Sequence, residues 1–290
     1  MTTIKDILAD STAKLSGHSD TARLDAELLV AHVLGMSRSG LIAHHDEQVD
    51  PNCIPVIEKL LKRRIDHEPV AYIVGYKEFY GLDFVVTPDV LIPRPETELL
   101  VERGLELLEQ CEDPLLVLDC GTGSGCLAIV IAKNLSDKKR AYQVYATDIS
   151  EAALEVARTN AKKHKVNDSI KFIESNWFSS LKNTDKKFDL IVSNPPYVAE
   201  GSMDTSPEIK FEPEGALYSG RDGLEALRMI IESVSNYLKP GGTALIEIGS
   251  DQGRAVSELA GALDQSCVSY QIKKDLAGHD RMLELLRVAE

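Results

Sequence analysis

The sequence has few cysteines, no long apolar run and no excess of basic residues in either part. Its five cysteines are scattered over 290 residues and form no C-x-x-C pair, which favours reduced thiols in a cytoplasmic protein over a disulfide framework. No apolar run approaches the roughly 20 residues that span a bilayer, and the acidic N-terminal segment lacks the apolar core of a signal peptide. We therefore expect a soluble, cytoplasmic protein with no membrane partner.

Acidic residues are in excess throughout, and the formal net charge is -14. Residues 1–75 hold 8 Lys and Arg against 11 Asp and Glu, and the remaining residues hold 24 against 35. Because an acidic surface repels the phosphate backbone, we expect no direct binding of nucleic acid. The sequence also has no cluster of metal ligands, no Ser-His-Asp set and no phosphate-binding P-loop, so we expect no metal ion.

The first part of the chain has a helical pattern. Apolar residues from Ile4 to His67 recur at helical spacing, and Gly35 is placed to end a helix. The segment contains no group of residues with obvious chemistry. We therefore predict that residues 1–75 form a small all-α domain that serves in packing or recognition.

Two short β-like runs follow, over Tyr76–Tyr80 and Leu82–Val86. They predict a β-hairpin within a linker of residues 76–94. The run Ile92–Glu98 is typical of a helix start, because proline suits the first turn and acids favour the positive end of the helix dipole. We place the start of a second, larger domain at residue 95, and this domain extends to residue 290.

Strand and helix patterns alternate through the rest of the chain. This alternation predicts an α/β fold with a doubly wound, mostly parallel sheet. The predicted strands are 115–119, 144–148, 170–174, 188–193, 243–248, 267–273 and 281–288, and the predicted helices are 127–134, 152–163, 224–238 and 252–263. The last two strands are joined so closely that we expect them to be antiparallel, at one edge of the sheet.

A glycine-rich turn, Cys120-Gly121-Thr122-Gly123-Ser124-Gly125, follows the first strand of this sheet. Glycines let the backbone pass close to a ligand, and the amides at the start of the next helix can hydrogen-bond it. The dinucleotide pattern G-x-G-x-x-G would need glycine at position 126, where the chain has Cys126. The spacing resembles instead the first motif of class I methyltransferases. Gly121, Thr122, Gly123, Ser124 and Gly125 are therefore predicted to bind S-adenosyl-L-methionine.

Three more side chains are candidates for contact with the adenosyl group. Asp148 ends the second strand, where its carboxylate could accept hydrogen bonds from both ribose hydroxyls or could instead cap the next helix. Asn176 and Trp177 follow the third strand. Asn176 could accept a hydrogen bond from the exocyclic amine of adenine, and Trp177 could stack on the ring or could lie in the core.

The fourth strand ends in Asn194-Pro195-Pro196-Tyr197, at the sheet edge where ligands bind in open α/β folds. An amide or amino nitrogen conjugated to a planar group is a poor nucleophile, so it must be held in line with the methyl donor. The side-chain oxygen of Asn194, which also lies beside the cofactor, and the carbonyl of Pro195 can accept two hydrogen bonds from the substrate NH₂. Pro196 adds rigidity, and Tyr197 can stack on the planar substrate. The motif predicts methylation of a planar nitrogen.

Over nearly its whole length the sequence resembles the HemK-type (PrmC) release factor glutamine methyltransferases. The shared motifs are Ile92–Glu98, Asp119–Gly125, Asn194–Tyr197, Phe211–Pro213, Leu238–Gly242 and Asp275–Arg281. The resemblance implies a class I methyltransferase fold with a seven-stranded sheet. It also implies transfer of a methyl group from S-adenosyl-L-methionine to the side-chain amide of the glutamine in the Gly-Gly-Gln motif of peptide chain release factors. The helical domain is then expected to help hold the release factor.

Other substrates stay open at this point. Adenine-N6 methyltransferases of nucleic acids share the Asn-Pro-Pro-Tyr motif, but the net acid in both parts disfavours them. A ribosomal-protein glutamine methyltransferase is closer, and the run Arg94–Glu98 is the main feature against it. The long stretch Val198–Arg221 is predicted to line the substrate entrance, with Glu212–Glu214 either a solvated turn or a substrate contact.

Overall fold

The computed structural model describes residues 2–202 and 206–288. These residues form two compact units, one of residues 2–76 with 206–211 and the other of residues 77–202 with 212–288. The functional division of the chain at residues 75 and 95 stays a prediction.

The first unit is helical. Its α-helices are α1 Ile4–Leu15, α2 Ala22–Leu34, α3 Arg38–Ala43, α4 Cys53–Ile65 and α5 Val70–Val74. Thr3 begins α1 with a capping box, and Gly35 ends α2 in the left-handed conformation, which confirms the predicted helix stop. Buried leucines from four of the helices meet in one core, among them Leu15, Leu29 and Leu41.

A two-stranded sheet of β1 Tyr76–Phe79 and β2 Leu82–Val85 follows, so the predicted hairpin is confirmed. The motif at residues 92–98 begins the next helix, as its composition predicts. A 3₁₀ turn at Pro95–Thr97, with proline in its first position, leads into α6 Glu98–Leu108.

The second unit is built on a seven-stranded sheet. Its strands are β3 Leu115–Cys120, β4 Tyr142–Asp148, β5 Ile170–Glu174, β6 Phe188–Ser193, β7 Leu238–Glu247, β8 Val268–Lys274 and β9 Asp280–Arg287. The order is β5-β4-β3-β6-β7-β9-β8, and only β9 pairs antiparallel, with β7 and β8. The predicted α/β class and the antiparallel edge are confirmed.

Helices cover both faces of this sheet, as in a doubly wound fold. They are α6, α7 Cys126–Asp137, α8 Glu151–Lys163, α9 Glu225–Val234 and α10 Gly253–Gly261. Alternate residues of β3 contribute to different cores, with Val117 in the core beneath α6 and α7 and Leu118 in the core beneath α9 and α10. The parallel strands therefore end at one edge of a sheet that is buried on both faces.

The helix predicted over residues 224–238 is wrong at its C-terminal end. Helix α9 stops at Val234, a 3₁₀ turn covers Ser235–Tyr237, and Leu238 already pairs with Phe188 as the first residue of β7. Serine and asparagine in this turn favour turns over helix, because their side chains compete for backbone hydrogen bonds. The strand predicted to begin at residue 243 therefore begins five residues earlier.

Candidate active site

The carboxyl ends of β3, β4, β5 and β6 border a cavity of about 520 Å³ in the second unit. This volume is in the range of small-molecule sites, roughly 300–1,000 Å³. Of the residues predicted to contact the cofactor or substrate, those that line the cavity are Gly121, Thr122, Gly123, Ser124, Asp148, Asn176, Trp177, Asn194 and Pro196. Gly125, Pro195 and Tyr197 are not among the residues that line the cavity but adjoin lining residues in sequence. The sheet topology thus brings together motifs from four different strands.

The glycine-rich turn is held by β4. The amides of Gly121 and Thr122 both donate to the carbonyl of Thr147, and the amide of Gly123 donates to a carboxylate oxygen of Asp148 at 2.8 Å. Gly121 has φ +81°, and a β-carbon there would stand 3.3 Å from the ring of Trp177. Glycine is needed at this position because both its conformation and the adjoining ring exclude a side chain.

Asp148 supports the turn and also faces the cavity. One of its oxygens accepts from the Gly123 amide and the other accepts from the Ser150 amide at 2.9 Å. Burial raises the pKa of Asp148, and these backbone hydrogen bonds oppose that rise. A carboxylate has about four lone-pair sites, so acceptor capacity is left for a ligand. The ribose contact stays a prediction, and Ser150, by accepting from Ala153, supplies the side-chain cap of α8.

Asn176 and Trp177 form another part of the cavity wall. Trp177 is half-buried with φ 49°, a left-handed conformation that is costly for an aromatic residue, and its carbonyl accepts from the Ser175 hydroxyl. The side chain of Asn176 is exposed. Both residues line the cavity, so the indole is available to a ligand as well as to the core. Their contacts with adenine stay predictions.

The acid before the glycine turn, Asp119, is completely buried. One carboxylate oxygen accepts from the Thr122 hydroxyl at 2.6 Å and from the Ala128 amide at 3.1 Å, while the other has no hydrogen-bond partner among the described residues. Desolvation is the largest effect on this group and raises its pKa to about 7. Asp119 therefore fixes the turn to α7 from behind the cavity.

The tetrapeptide Asn194–Tyr197 is tied to a buried glutamate. The Nδ2 of Asn194 donates to the Thr97 hydroxyl at 3.0 Å, and that hydroxyl donates to Oε2 of Glu247 at 2.7 Å. The Tyr197 hydroxyl approaches the other carboxylate oxygen at 3.4 Å. Glu247 is 0% exposed, and desolvation raises its pKa to about 7, while burial raises the pKa of Tyr197. Asn194 and Pro196 face the cavity, whereas Pro195 is buried.

The chain after Tyr197 packs back against the cavity. The side-chain amide of Gln252 donates to the carbonyls of Tyr197 and Gly223. A β-carbon on Gly223 would stand 2.4 Å from the carbonyl oxygen of Tyr197. The Val198 amide donates to the carbonyl of Leu217, and the Val198 carbonyl accepts from the amide of Ser219. This close approach explains a glycine at position 223. Residues 213, 215, 216 and 218–220 of the predicted entrance loop line the cavity.

The two interpretations left open for the run Glu212–Glu214 do not apply to all of it: Glu214 is exposed and Pro213 lines the cavity, but Glu212 fits neither interpretation. Its side chain is 3% exposed and makes neither a solvated turn nor a contact with the cavity. It accepts from the Arg94 guanidinium at 2.5 Å and from the Ile92 amide at 3.2 Å. Glu212 thereby holds the loop against the segment that precedes α6, and its neighbour Pro213 lines the cavity.

Sequence reasoning missed Glu247 and gave no chemical role to Thr97. Thr97 lies in the motif at residues 92–98, whose composition indicates a helix start and the family but no chemical role for the threonine. A signal for Glu247 was present, since it is the single acid in the apolar run from Ala244 to Ile248 and a buried acid needs partners. No motif indicated which partners it has.

Acidic side chains are the charged groups of the cavity wall. Asp89, Asp148, Glu200 and Glu225 line it, and no lysine, arginine or histidine does so in the described part of the chain.

The described residues contain no group of three or more His, Cys, Asp or Glu that could hold a metal ion. Within residues 2–202 and 206–288, no helix is both long and apolar enough to span a membrane.

Comparison with known proteins identifies the family. A family model described as the PrmC N-terminal domain matches residues 6–75, and one described as a methyltransferase domain matches residues 112–288. A release factor glutamine methyltransferase of Burkholderia pseudomallei is 41% identical over 93% of this chain and 94% of its own length. The chain belongs to the release factor glutamine methyltransferase family. The resemblance inferred from its motifs is thereby confirmed.

Other relatives of the family differ in length. A release factor glutamine methyltransferase of Coxiella burnetii is 40% identical over 98% of both chains. A bifunctional methyltransferase of Rickettsia conorii is 40% identical over 97% of this chain, but this chain spans only 57% of that relative. The chain thus covers about half the length of some curated relatives that it matches.

Replacement of Asp148 tests its contact with the cofactor. Asp148→Ala should weaken binding of S-adenosyl-L-methionine by roughly 1.5–3 kcal/mol, because hydrogen bonds to a charged group are lost. Asp168→Ala, an exposed aspartate on the turn before β5, is the matched control and should bind normally. Isothermal calorimetry measures both affinities, and an unchanged affinity for Asp148→Ala would remove this residue from the cofactor site.

A second prediction concerns the pH dependence of stability. The folded protein retains a proton on Asp119 that the unfolded chain releases above its ordinary pKa of 3.8, so stability is lost as the pH rises from there to about 7. Asp119→Asn is neutral throughout, and its free energy of unfolding relative to wild type should therefore rise by up to ~4 kcal/mol across this interval.

Urea unfolding at about pH 5 and about pH 8 measures the part of this change that falls above pH 5, which is about 3 kcal/mol. The exposed residue Asp185 offers a control, since Asp185→Asn should show no such trend. A constant difference between Asp119→Asn and wild type at both pH values would contradict the assignment of a buried, protonated Asp119.

Proposed function

We propose that this protein transfers a methyl group from S-adenosyl-L-methionine to the side-chain amide nitrogen of the glutamine in the Gly-Gly-Gln motif of peptide chain release factors. The observation that carries the proposal is the position of Asn194 and Pro196, at the wall of the cavity that the glycine-rich turn also borders. Membership of the family supplies the substrate class. We also propose that the protein acts in the cytoplasm, where translation terminates.

The residues of the cavity fit the cofactor. No described atom lies within 4 Å of the position that a β-carbon on Gly123 would take, which allows close approach of a ligand, and Asp148 retains lone pairs for ribose hydroxyls. Trp177 offers an aromatic face, with Asn176 beside it. Carboxylates in the cavity wall, with no basic side chain among its described residues, favour a positively charged sulfonium over anionic ligands.

The chain binds and orients the substrate amide. When bound, the cofactor supplies an electrophilic methyl group. The side-chain oxygen of Asn194 and the carbonyl of Pro195 accept hydrogen bonds from the substrate NH₂, which fixes the nitrogen in line and stabilises the positive charge that builds on it. Tyr197 packs beside the planar amide. Positioning and electrostatics account for the acceleration, without a base at the centre of the reaction.

Two other substrates are the alternatives to be tested. A ribosomal protein glutamine would use the same amide chemistry, and adenine in nucleic acid would use the same Asn-Pro-Pro-Tyr motif. The four carboxylates of the cavity wall disfavour a phosphate-bearing substrate. Release factors are favoured because relatives named as their methyltransferases match over almost the whole chain.

We further propose that the two parts of the chain divide the work. Residues 1–75 hold the release factor, residues 76–94 link the parts, and residues 95–290 carry the chemistry. The lining residues of the cavity all lie beyond position 88, which supports a separate role for residues 1–75, although four of them belong to the linker: Asp89, Val90, Leu91 and Pro93.

A direct assay tests the proposed function. The protein is incubated with labelled S-adenosyl-L-methionine and, in parallel, with a release factor, a mixture of ribosomal proteins, or DNA. Mass spectrometry should find the label on the glutamine of the Gly-Gly-Gln motif. Label found on ribosomal protein or DNA and absent from the release factor would overturn the proposal.

Asn194→Ala should lower the turnover rate by about 10²–10³, as expected for loss of a preorganised hydrogen-bond partner in the transition state. Asn167→Ala, on the turn before β5, is the control and should leave turnover unchanged. Single-turnover kinetics with saturating cofactor make the comparison. A rate for Asn194→Ala within a few-fold of wild type would exclude Asn194 from the mechanism.

A truncated protein that begins near Glu68 tests the division of work. It should still bind S-adenosyl-L-methionine, but kcat/KM for an intact release factor should fall, chiefly through a higher KM, because contacts remote from the glutamine are lost. A short glutamine peptide should be methylated poorly and about equally by both proteins. Circular dichroism must first show that the truncated protein is folded, and equal kcat/KM values for the intact release factor would contradict the proposed role of residues 1–75.

A further inference from the structure

A continuous line of hydrogen bonds leads from the cavity wall to the interior of the second unit. It begins at the side-chain amide of Asn194, passes through the hydroxyl of Thr97 and ends at the carboxylate of Glu247, over distances of 3.0 Å and 2.7 Å. Thr97 is 2% exposed and Glu247 is 0% exposed. Neither residue has a role in the function proposed above.

We propose that Thr97 and Glu247 are positioning residues that determine which atom of the Asn194 side-chain amide faces the substrate. This inference rests on the proposed function, in which the oxygen of Asn194 must accept a hydrogen bond from the substrate nitrogen.

The direction of the hydrogen bonds carries the argument. Above about pH 7 the carboxyl group of Glu247 is ionised and can only accept hydrogen bonds, so the single proton of the Thr97 hydroxyl is committed to it. The Thr97 oxygen can then only accept from Asn194, and an amide presents a donor on its nitrogen side alone. The Nδ2 of Asn194 is therefore turned to Thr97, and Oδ1 is left as the free acceptor on the other side.

The alternative orientation would be costly. If the Asn194 amide were turned around, its oxygen would face the Thr97 oxygen, whose proton is already used. The turned amide would lose its hydrogen bond to Thr97, which is only 2% exposed and so has little access to water that could replace the bond. The turned amide would also present NH₂ to the substrate NH₂, so that two donors would face each other. The observed chain thus selects the orientation suited to catalysis.

The same carboxylate also holds the other end of the tetrapeptide. Its second oxygen lies 3.4 Å from the Tyr197 hydroxyl. Glu247 is therefore linked to Asn194 through Thr97 and to Tyr197 directly, and these two residues flank the two prolines of the tetrapeptide. Arg281 and Glu96 act on Glu247 electrostatically, and they have opposite effects on its pKa. Hydrogen bonds from two hydroxyl groups, instead of an ion pair, therefore hold this glutamate.

Thr97→Val tests the inference, because it removes the hydroxyl and keeps the shape. In an assay of release factor methylation at about pH 8, where Glu247 is ionised, kcat for Thr97→Val should fall about tenfold relative to wild type, while the KM for the release factor and the affinity for S-adenosyl-L-methionine stay within about twofold. Thr97→Ser retains the hydroxyl and should restore kcat to within about threefold of wild type. The matched control is Thr243→Val, the same change at a buried threonine in the middle of β7, which should leave kcat unchanged.

A double variant separates positioning from general damage. If Thr97 acts through the amide of Asn194, adding Thr97→Val to Asn194→Ala should cause no further loss of kcat. A full tenfold loss in the Asn194→Ala background, or equal rates for Thr97→Val and Thr243→Val, would overturn the inference and leave the proposed function standing. Absence of methylation by the wild-type protein would instead overturn the proposed function, and this inference with it.

Discussion

The carboxylate of Glu247 is the constraint on which the geometry of the site depends. A buried acid loses its hydration, and in this structure the compensation comes from the hydroxyl groups of Thr97 and Tyr197. Thr97 in turn accepts a hydrogen bond from Asn194. The hydrogen bonds that compensate for the burial of one acid therefore also hold three side chains in place. In the function that we propose, these bonds hold the acceptor for the substrate nitrogen before the substrate arrives, which is the condition for electrostatic preorganisation.

The sheet makes this arrangement possible. Strands β6 and β7 are parallel neighbours, with Ser193 opposite Ile246, so Asn194 and Glu247 follow at the same edge. The 3₁₀ turn at Pro95–Thr97 brings the threonine to that edge from the start of α6. On the other side of β6, the paired strands β3 and β4 place the glycine-rich turn and Asp148 together through the Gly123 amide. Cofactor and substrate sites therefore share one rigid edge, in agreement with the rule for open α/β sheets.

Local patterns were enough to predict the framework and the two motifs that border the cavity. The glycine turn after β3 and the tetrapeptide after β6 are contiguous in sequence, so their residue types and their positions after strands could be read directly. The links among them could not, because Thr97 and Glu247 are 150 residues apart and Arg94 and Glu212 are 118 apart. The sequence pattern shows that Glu247 and Glu212 are present. It does not show which hydroxyl group or guanidinium lies beside each of them in the folded protein. The end of α9 was mispredicted for a related reason, since pairing of Leu238 with Phe188 stops a pattern that could continue as a helix.

The most direct measurement is neutron diffraction from a deuterated crystal of the protein with S-adenosylhomocysteine and a glutamine peptide. Deuterons distinguish the nitrogen from the oxygen of a side-chain amide, which ordinary X-ray data do not. The account predicts that the deuterated nitrogen of Asn194 faces Thr97 and that its oxygen accepts a hydrogen bond from the glutamine nitrogen. An Asn194 oxygen turned to Thr97, or a glutamine amide bound away from Asn194, would contradict it.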